Sequence, residues 1–195
     1  MIPGLFGLPL PEPADHVFGS LATEWVVAVI IVVVSIAWYL SYSAARLDRL
    51  HTRVEGTYAA LDAQLVRRAE AVLELANSGR LDGASSLILA GAAAESLAAT
   101  DEPSAEREQV ESDLTEALTL SLTPDAVEGL RDHPCDEFDR VVAAAKRVQL
   151  ARRFHNDAVT DVRRVRRKVV VRLFRLAGHT DLPGTVEFDD EVPRL

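Results

Sequence analysis

The longest run of the chain without a charged residue is strongly hydrophobic and lies near its beginning. Residues 25–45 contain no charged side chain, and Glu24 and Arg46 lie directly on either side of them. As a helix, these residues would be about 31 Å long, which matches the hydrocarbon thickness of a bilayer. Membrane helices place aromatic residues at the headgroup level, and this run has them near both ends: Trp25, Trp38, Tyr39 and Tyr42. The pattern predicts a transmembrane helix over residues 25–45.

Two other kinds of segment share this composition. A buried core helix can be equally apolar, but a chain of 195 residues with one such run is a poor host for it. A cleavable signal peptide needs a basic n-region and a shorter apolar core, whereas residues 1–24 contain neither Lys nor Arg. Residues 43–45 loosely resemble a cleavage site, so the signal peptide is the stronger rival. We interpret the run as an uncleaved anchor.

A different pattern follows the apolar run, because hydrophobic residues now recur three and four positions apart. The first such stripe reaches Ala76 without a breaker, so the membrane helix is predicted to continue as one helix to about residue 77. Asn77-Ser78-Gly79 supplies a stop signal. Proline and glycine separate further predicted helices over residues 82–99, 104–121 and about 135–177, and Thr123-Pro124 predicts the start of a short helical turn that ends near Arg131. No segment shows the sustained alternation of a strand.

Several amphipathic helices with one apolar face each must cover those faces against one another. The expected fold is therefore all-α, with an N-terminal transmembrane helix that continues into an antiparallel three- to four-helix bundle. The expected organisation is a short irregular tail rich in proline (1–24), the membrane helix (25–45), the bundle (46–178) and an acidic extended tail (179–195).

Charge is divided unevenly along the chain. All 21 Lys and Arg residues lie at or after Arg46, so the positive-inside rule predicts a cytoplasmic bundle and an external N-terminus. Residues 95–139 contain 14 acidic residues and two basic ones, whereas residues 140–175 contain 12 basic residues and two acidic ones. Neighbouring helices with such opposite charges would attract each other.

The sequence offers little material for catalysis or metal binding. Cys135 is the single cysteine, and no histidines share helical ligand spacing. We find no phosphate loop, nucleophile elbow or zinc-protease spacing. Asp189-Asp190-Glu191 would attract a divalent cation, but we interpret it as a solvated acidic tail. We expect no cofactor, no metal and no catalytic site, and an enzyme with an unrecognised site stays as an alternative.

Two motifs resemble the LemA family of bacterial membrane proteins. Residues 57–68, TYAALDAQLVRR, are similar to the family's first-helix signature through a shared set: Asp62, Leu65, Arg67 and Arg68. Residues 151–159, ARRFHNDAV, are similar to a late-helix motif, with His155 where the family usually has Tyr. The resemblance covers about residues 20–180. It implies a cytoplasmic helical bundle at the bacterial inner membrane without a known catalytic centre.

The polar residues of these motifs are the candidate interaction residues. Asp62 and Arg68 on the first helix are expected to pair with Arg152 or Asn156 on the last, which would fix the register of the helices. His155 lies on an apolar stripe and is expected to be a hydrogen-bonded core residue. Its ordinary pKa would also suit a pH sensor.

A basic run near the end of the last helix has three alternative roles. It comprises Arg163, Arg164, Arg166, Arg167 and Lys168. These residues would bind anionic lipid headgroups, neutralise the acidic third helix, or bind nucleic acid. The net charge of −9 and the membrane tether argue against nucleic acid.

The predicted function is that of a non-enzymatic scaffold or adaptor at the inner membrane, which acts by protein–protein association. The alternatives are a regulator of a membrane protease or envelope-stress pathway and a structural protein that binds anionic lipid. The expected partners are the bilayer, a membrane or envelope protein that the sequence does not identify, and a second copy of the chain.

Overall fold

The computed structural model describes residues 15–99, 104–132, 136–168 and 182–191 of the chain. Within these ranges the regular structure is helical and no strand occurs. The five helices are α1 (Asp15–Asn77), α2 (Gly83–Ala98), α3 (Ser104–Ser121), α4 (Pro124–Asp132) and α5 (Asp136–Arg166). The predicted all-α fold class is confirmed.

Helix α1 includes the apolar run and continues to Asn77, as the unbroken pattern predicts. It begins at Asp15, so residues 15–24, which were expected to be irregular, are helical, and residues 1–14 lie outside the described residues. At its other end, the Ser78 hydroxyl donates to the Leu75 carbonyl at 2.7 Å, and Gly79 has a φ of +71°. A positive φ strains residues with a Cβ, which explains glycine at this stop.

The chain divides into two compact units, Met1–Ala45 and Arg46–Leu195. In the first unit, the large apolar side chains from Trp25 to Tyr39 and that of Tyr42 are exposed, and Leu40 is partly buried. Among the described residues, α1 is the one helix that is long and apolar enough to cross a membrane, and none of its most apolar window is buried. Length and composition therefore suit this part of α1 to a bilayer.

The main core of the second unit draws on all five helices. Its fully or almost fully buried members include Val72, Leu75, Leu89, Leu114, Leu118, Leu130 and Val141. Helices α2 and α3 pack against each other. Three smaller apolar clusters join α1 to α5: Leu61 and Leu65 with Val148, Val54 with Val159 and Val162, and Leu47 with Val165.

Two short helices begin at side-chain caps. The Asp82 carboxylate accepts hydrogen bonds from the backbone N–H groups of Ala84 and Ser85 at the start of α2. Hydrogen bonds from Ser85 lower the pKa of this exposed carboxyl. The Thr123 hydroxyl accepts from Ala126 N–H before α4, whose first residue is Pro124. Threonine followed by proline is a common helix start, and the sequence predicted this one.

The C-terminal part of the chain differs from its prediction in two ways. Helix α5 ends at Arg166 rather than near residue 177, and residues 169–181 lie outside the described residues. Residues 182–191, called the C-terminal segment below, have no regular secondary structure, but Val186 and Phe188 are buried. This part of the predicted extended tail therefore packs against the helices through its alternate apolar side chains, whereas Asp189 and Glu191 are exposed and Asp190 is partly buried.

Candidate functional site

The C-terminal segment lies in a groove formed by three helices of the second unit. Val186 and Phe188 form a cluster with Leu61 and Leu65 of α1 and Val148 of α5, and each of the two is only 8% exposed. Polar side chains of α3 and α5 complete this surface, which we call the segment groove. Its members are Leu61, Leu65, Ser112, Thr115, Val148, Gln149, Arg152 and Asn156.

Asn156 binds the backbone of the segment with both ends of its side-chain amide. Its Nδ2 donates to the Val186 carbonyl at 3.0 Å, and its Oδ1 accepts from the Val186 N–H at 2.9 Å. Two residues that exchange both backbone hydrogen bonds form the repeating unit of an antiparallel sheet. A helix side chain therefore substitutes here for a neighbouring strand.

Further side chains contact the segment backbone at both ends. Thr115 Oγ1 donates to the Asp189 carbonyl at 2.7 Å, and Gln149 Nε2 donates to the Asp190 carbonyl at 2.6 Å. Ser112 Oγ accepts from Asp189 N–H at 3.1 Å. Arg163 Nε donates to the Pro183 carbonyl at 3.1 Å. Most polar contacts of the segment thus involve its main chain rather than its side chains.

The Phe188 ring lies near two guanidinium groups. The guanidinium carbon of Arg68 is 5.9 Å from the ring centroid, and that of Arg152 is 5.4 Å from it. Both distances lie within the range of cation–π attraction. Arg152 Nε also donates to Asp190 Oδ2 at 2.7 Å. Arg152 therefore contacts two segment side chains two positions apart.

Behind Phe188 lies a network of buried charged and hydroxyl side chains, here called the buried network: Arg68, Ser96, Arg107, Glu111 and Thr115. Glu111 is at its centre with a side-chain exposure of 0%. Its Oε2 is 2.6 Å from Arg68 Nη2, and its Oε1 is 2.9 Å from Arg107 Nη2. Ser96 Oγ donates to Glu111 Oε1 at 2.8 Å, so both carboxylate oxygens have partners.

The remaining contacts connect the network to its surroundings. Arg107 Nη1 donates to the Ser96 carbonyl at 2.6 Å, and Arg68 Nη1 donates to Thr115 Oγ1 at 3.1 Å. Asp62, at the edge, has its Oδ1 3.8 Å from Arg107 Nη2. With Asp62 included, two positive charges face two negative ones. Such balance is required because an unpaired buried charge costs several kcal/mol.

The space around the buried network is too small for a substrate. The cavity beside it is lined by Tyr58, Asp62, Arg107, Glu111 and Phe188, among others, and has a volume of about 10 Å³. This volume holds about one water molecule. In the part of the chain that the structure describes, no three metal-ligating side chains form a group. The arrangement is suited to holding helices together.

The structure gives the predicted interaction residues different partners. The expected pairing of Asp62 and Arg68 with Arg152 or Asn156 does not form, because Arg68 binds Glu111 and Asp62 faces Arg107. Arg152 and Asn156 bind the C-terminal segment instead. The prediction assumed that these helices are joined directly, whereas α3 and the segment supply the partners.

Sequence reasoning missed Arg107 and Glu111, although a signal was present. On α3, Arg107, Glu111, Leu114 and Leu118 recur at spacings of four, three and four, which is the spacing of one helix face. Two charged residues on the same face as buried leucines indicate a buried ionic contact. The high acidity of the surrounding sequence concealed this pattern.

His155 is buried, as its position on an apolar stripe suggests. Its Nδ1 is 3.3 Å from Thr57 Oγ1, and its ring meets the Tyr58 ring edge-on with 5.5 Å between centroids. Desolvation lowers the pKa of His155, against the opposing effect of hydrogen bonds to the Gly184 and Val54 backbone. The folded chain therefore holds this imidazole in its neutral form at neutral pH.

This lowered pKa predicts acid sensitivity. Below the ordinary histidine pKa of 6.5, the unfolded chain binds a proton that the folded chain binds less readily, so stability falls as the pH falls. We expect His155→Gln to lose less stability than the unchanged chain between about pH 7.5 and 5. Urea unfolding of both full chains in detergent micelles measures this difference. Equal losses would contradict the assignment, and His51→Gln is the control.

The basic run lies beside other basic residues of the second unit. The contact of Leu47 with Val165 brings the end of α5 near the start of that unit, where Arg46, Arg49 and Arg53 occur. Asp161 contacts both groups: its Oδ2 is 3.6 Å from Arg53 Nη1, and its Oδ1 is 3.8 Å from Arg164 Nη1. Arg163 contacts Pro183. Arg163 and Arg164 therefore have partners other than the acidic α3.

A second, apolar groove is lined by side chains of α1 and α5. Leu150 and Phe154 are 51% and 54% exposed and lie one helical turn apart. The groove has a volume of about 300 Å³, and its other lining residues are Thr57, Ala60, Gln64, Arg67, Arg147 and Ala151. We call it the Phe154 groove.

No protein-family model, curated protein or solved structure matches this chain.

Proposed function

We propose that the chain is a membrane-anchored, non-enzymatic adaptor or scaffold that acts by binding other proteins. The observation that carries the proposal is the Phe154 groove, in which two large apolar side chains are half exposed. Exposed apolar groups with a polar rim are typical of interaction sites, and aromatic residues are enriched there. Arg67, Gln64 and Arg147 supply the rim.

The small cavity beside the buried network supports binding rather than catalysis. A cavity of about 10 Å³ leaves no place for a substrate next to Glu111 or the two arginines. Those three charges already bind one another and Ser96. The carboxylate is therefore not available as a general base without disruption of the core.

We infer that the helices of the second unit form an antiparallel bundle, which follows the membrane helix in the chain. Leu47 contacts Val165, Val54 contacts Val159, and Leu61 contacts Val148. As the residue number increases along α1, the number of the contacted residue on α5 decreases. This supports opposite directions for the two helices. In up-and-down bundles, neighbouring helices run in opposite directions.

We place the second unit on the cytoplasmic side of a bacterial inner membrane. The support is the location of all Lys and Arg residues at or after Arg46, because basic residues are retained on the cytoplasmic side. The resemblance of residues 57–68 and 151–159 to LemA motifs supports the bacterial location and membership of that family. The alternative is that the chain regulates a membrane protease or an envelope-stress pathway. The experiment below would detect such a partner.

In-cell photocrosslinking tests the adaptor function. A photoreactive amino acid at Phe154 is expected to capture one specific membrane or envelope protein, because that side chain lies in the groove. The same amino acid at Glu128, an exposed position of α4, is the control and should not capture it. Capture of a membrane protease would identify the regulatory form. Capture of lipid or of a second copy only would contradict the adaptor function.

Anionic lipid binding is a second candidate function. It rests on the proximity of the basic end of α5 to Arg46, Arg49 and Arg53, which the contact of Leu47 with Val165 produces. Arg164, Arg167 and Lys168 are exposed at this end. Each basic residue near an anionic surface contributes about 1 kcal/mol to binding.

Removal of three exposed charges from this end is expected to weaken binding to anionic vesicles. The change is Arg164→Gln, Arg167→Gln and Lys168→Gln, and the loss of about 3 kcal/mol corresponds to roughly 100-fold weaker partitioning. The measurement is co-sedimentation of the portion from Arg46 onward, with its helix content checked by circular dichroism. Arg80→Gln with Arg131→Gln is the control. If both variants partition alike, the lipid function is wrong.

A further inference from the structure

We propose that the segment groove is a peptide-binding site and that it accepts the C-terminal segment of a second copy of this chain in exchange for its own. The ligand is an extended peptide with Val, Phe and Asp at alternate positions, here Val186, Phe188 and Asp190. This proposal concerns a different surface from the Phe154 groove, so either can fail without the other.

The first argument is the pattern of burial along the segment. Val186 and Phe188 are buried and Asp190 is partly buried, whereas Glu187, Asp189 and Glu191 are exposed. This alternation is that of an extended peptide with one face against its receptor. Peptides recognised in this way gain affinity from main-chain hydrogen bonds and specificity from pockets for alternate side chains.

The second argument is that the receptor groups are held by the helices rather than by the segment. Asn156, Arg152 and Gln149 belong to α5, and Ser112 and Thr115 belong to α3. The main core is built from the five helices and contains no residue of the segment. Departure of the segment therefore removes no member of the main core and none of these receptor side chains.

The third argument is that a second copy supplies the same ligand. Its segment can make the Asn156 hydrogen bonds, the Arg152–Asp190 ion pair and the Phe188 contacts that the resident segment makes. Exchange of identical elements thus leaves the contacts unchanged, which is why it is a low-cost route to dimers. Tethering raises the effective concentration of the resident segment to about the millimolar range, so exchange needs copies held close together.

Two complementary full-length variants test the exchange. The acceptor carries Val186→Ser and Phe188→Ser, so its groove is intact but its segment binds poorly. The donor carries Asn156→Leu and Arg152→Leu, so its groove is impaired, and has a photoreactive residue at the exposed position Glu187. Both are reconstituted in the same liposomes with different tags. We expect a donor–acceptor crosslink at least tenfold above that of a donor with an acceptor that also carries Asn156→Leu.

A peptide probe keeps the result interpretable if crosslinking is absent. A fluorescent peptide of residues 182–191 is titrated into the acceptor, whose helix content is checked by circular dichroism, and into the unchanged chain. We expect binding to the acceptor and at least tenfold weaker binding to the unchanged chain, whose groove is occupied. Binding of the peptide without a donor–acceptor crosslink would overturn the exchange between copies. No binding to a folded acceptor, or equal binding of a scrambled peptide, would overturn the site itself.

Discussion

Glu111→Gln is expected to lower the free energy of unfolding by about 3–5 kcal/mol, because the change leaves two buried guanidinium groups without their shared carboxylate. The substitution keeps the shape of the side chain, so lost charge rather than a cavity causes the effect. Arg68 and Arg107 are only 2% and 5% exposed and have little access to water. Urea unfolding of the full chain in detergent micelles measures the change.

Two comparisons separate the ionic contribution from other effects of the substitution. Glu116→Gln removes a carboxylate from the exposed side of α3 and should change stability by no more than about 0.5 kcal/mol. Arg68→Met with Glu111→Gln removes both members of the pair and should be less destabilising than Glu111→Gln alone, since one unpaired buried charge disappears. A Glu111→Gln chain with unchanged stability would show that the network contributes little to the fold.

The second large effect concerns the apolar run of α1. Val32→Arg with Ile36→Arg places two charges near the centre of residues 25–45 and should move the chain from the membrane fraction to the soluble or aggregated one. Each arginine at the centre of a membrane helix costs about 2.5–3.5 kcal/mol of insertion free energy, so the pair costs about 5–7 kcal/mol. Carbonate extraction of cell membranes, followed by detection of the chain in pellet and supernatant, measures the distribution.

The control for this experiment is Val32→Leu with Ile36→Leu, which keeps the run apolar and should stay in the membrane pellet. If the double-arginine chain remained in the pellet after carbonate treatment, residues 25–45 would not be the element that anchors it. Val32 and Ile36 are 56% and 46% exposed, so the leucines meet no packing constraint from the described residues.

The helices could be predicted because their signals are local. The stripe that includes Leu61, Leu65 and Val72 follows helical spacing, and each of these residues is buried. Thr123-Pro124 and Asn77-Ser78-Gly79 contain their own start and stop signals. The start of α1 at Asp15 was missed because the prolines were assumed to affect all of residues 1–24, although the last of them is Pro13.

The candidate site could be predicted only in part, because its contacts join residues far apart in the sequence. The motif residues Arg68, Arg152 and Asn156 were identified, but a helix pattern does not specify which other element each side chain meets. Glu111 and Thr115 are separated from Arg68 by more than 40 positions. The alternation of Val186 and Phe188 was an available sign of a half-buried extended segment. It was outweighed by the charge of the neighbouring acids.

The position of the C-terminal segment also affects how the chain is made. Among the described residues, Val186 and Phe188 are the last apolar side chains to leave the ribosome, yet they cover Leu61 and Leu65, which are made much earlier. During synthesis these two leucines and Val148 stay uncovered until residues 186–188 have emerged. A nascent chain that stops before Val186 therefore displays an apolar groove to chaperones and proteases, which distinguishes it from a chain that has passed this point.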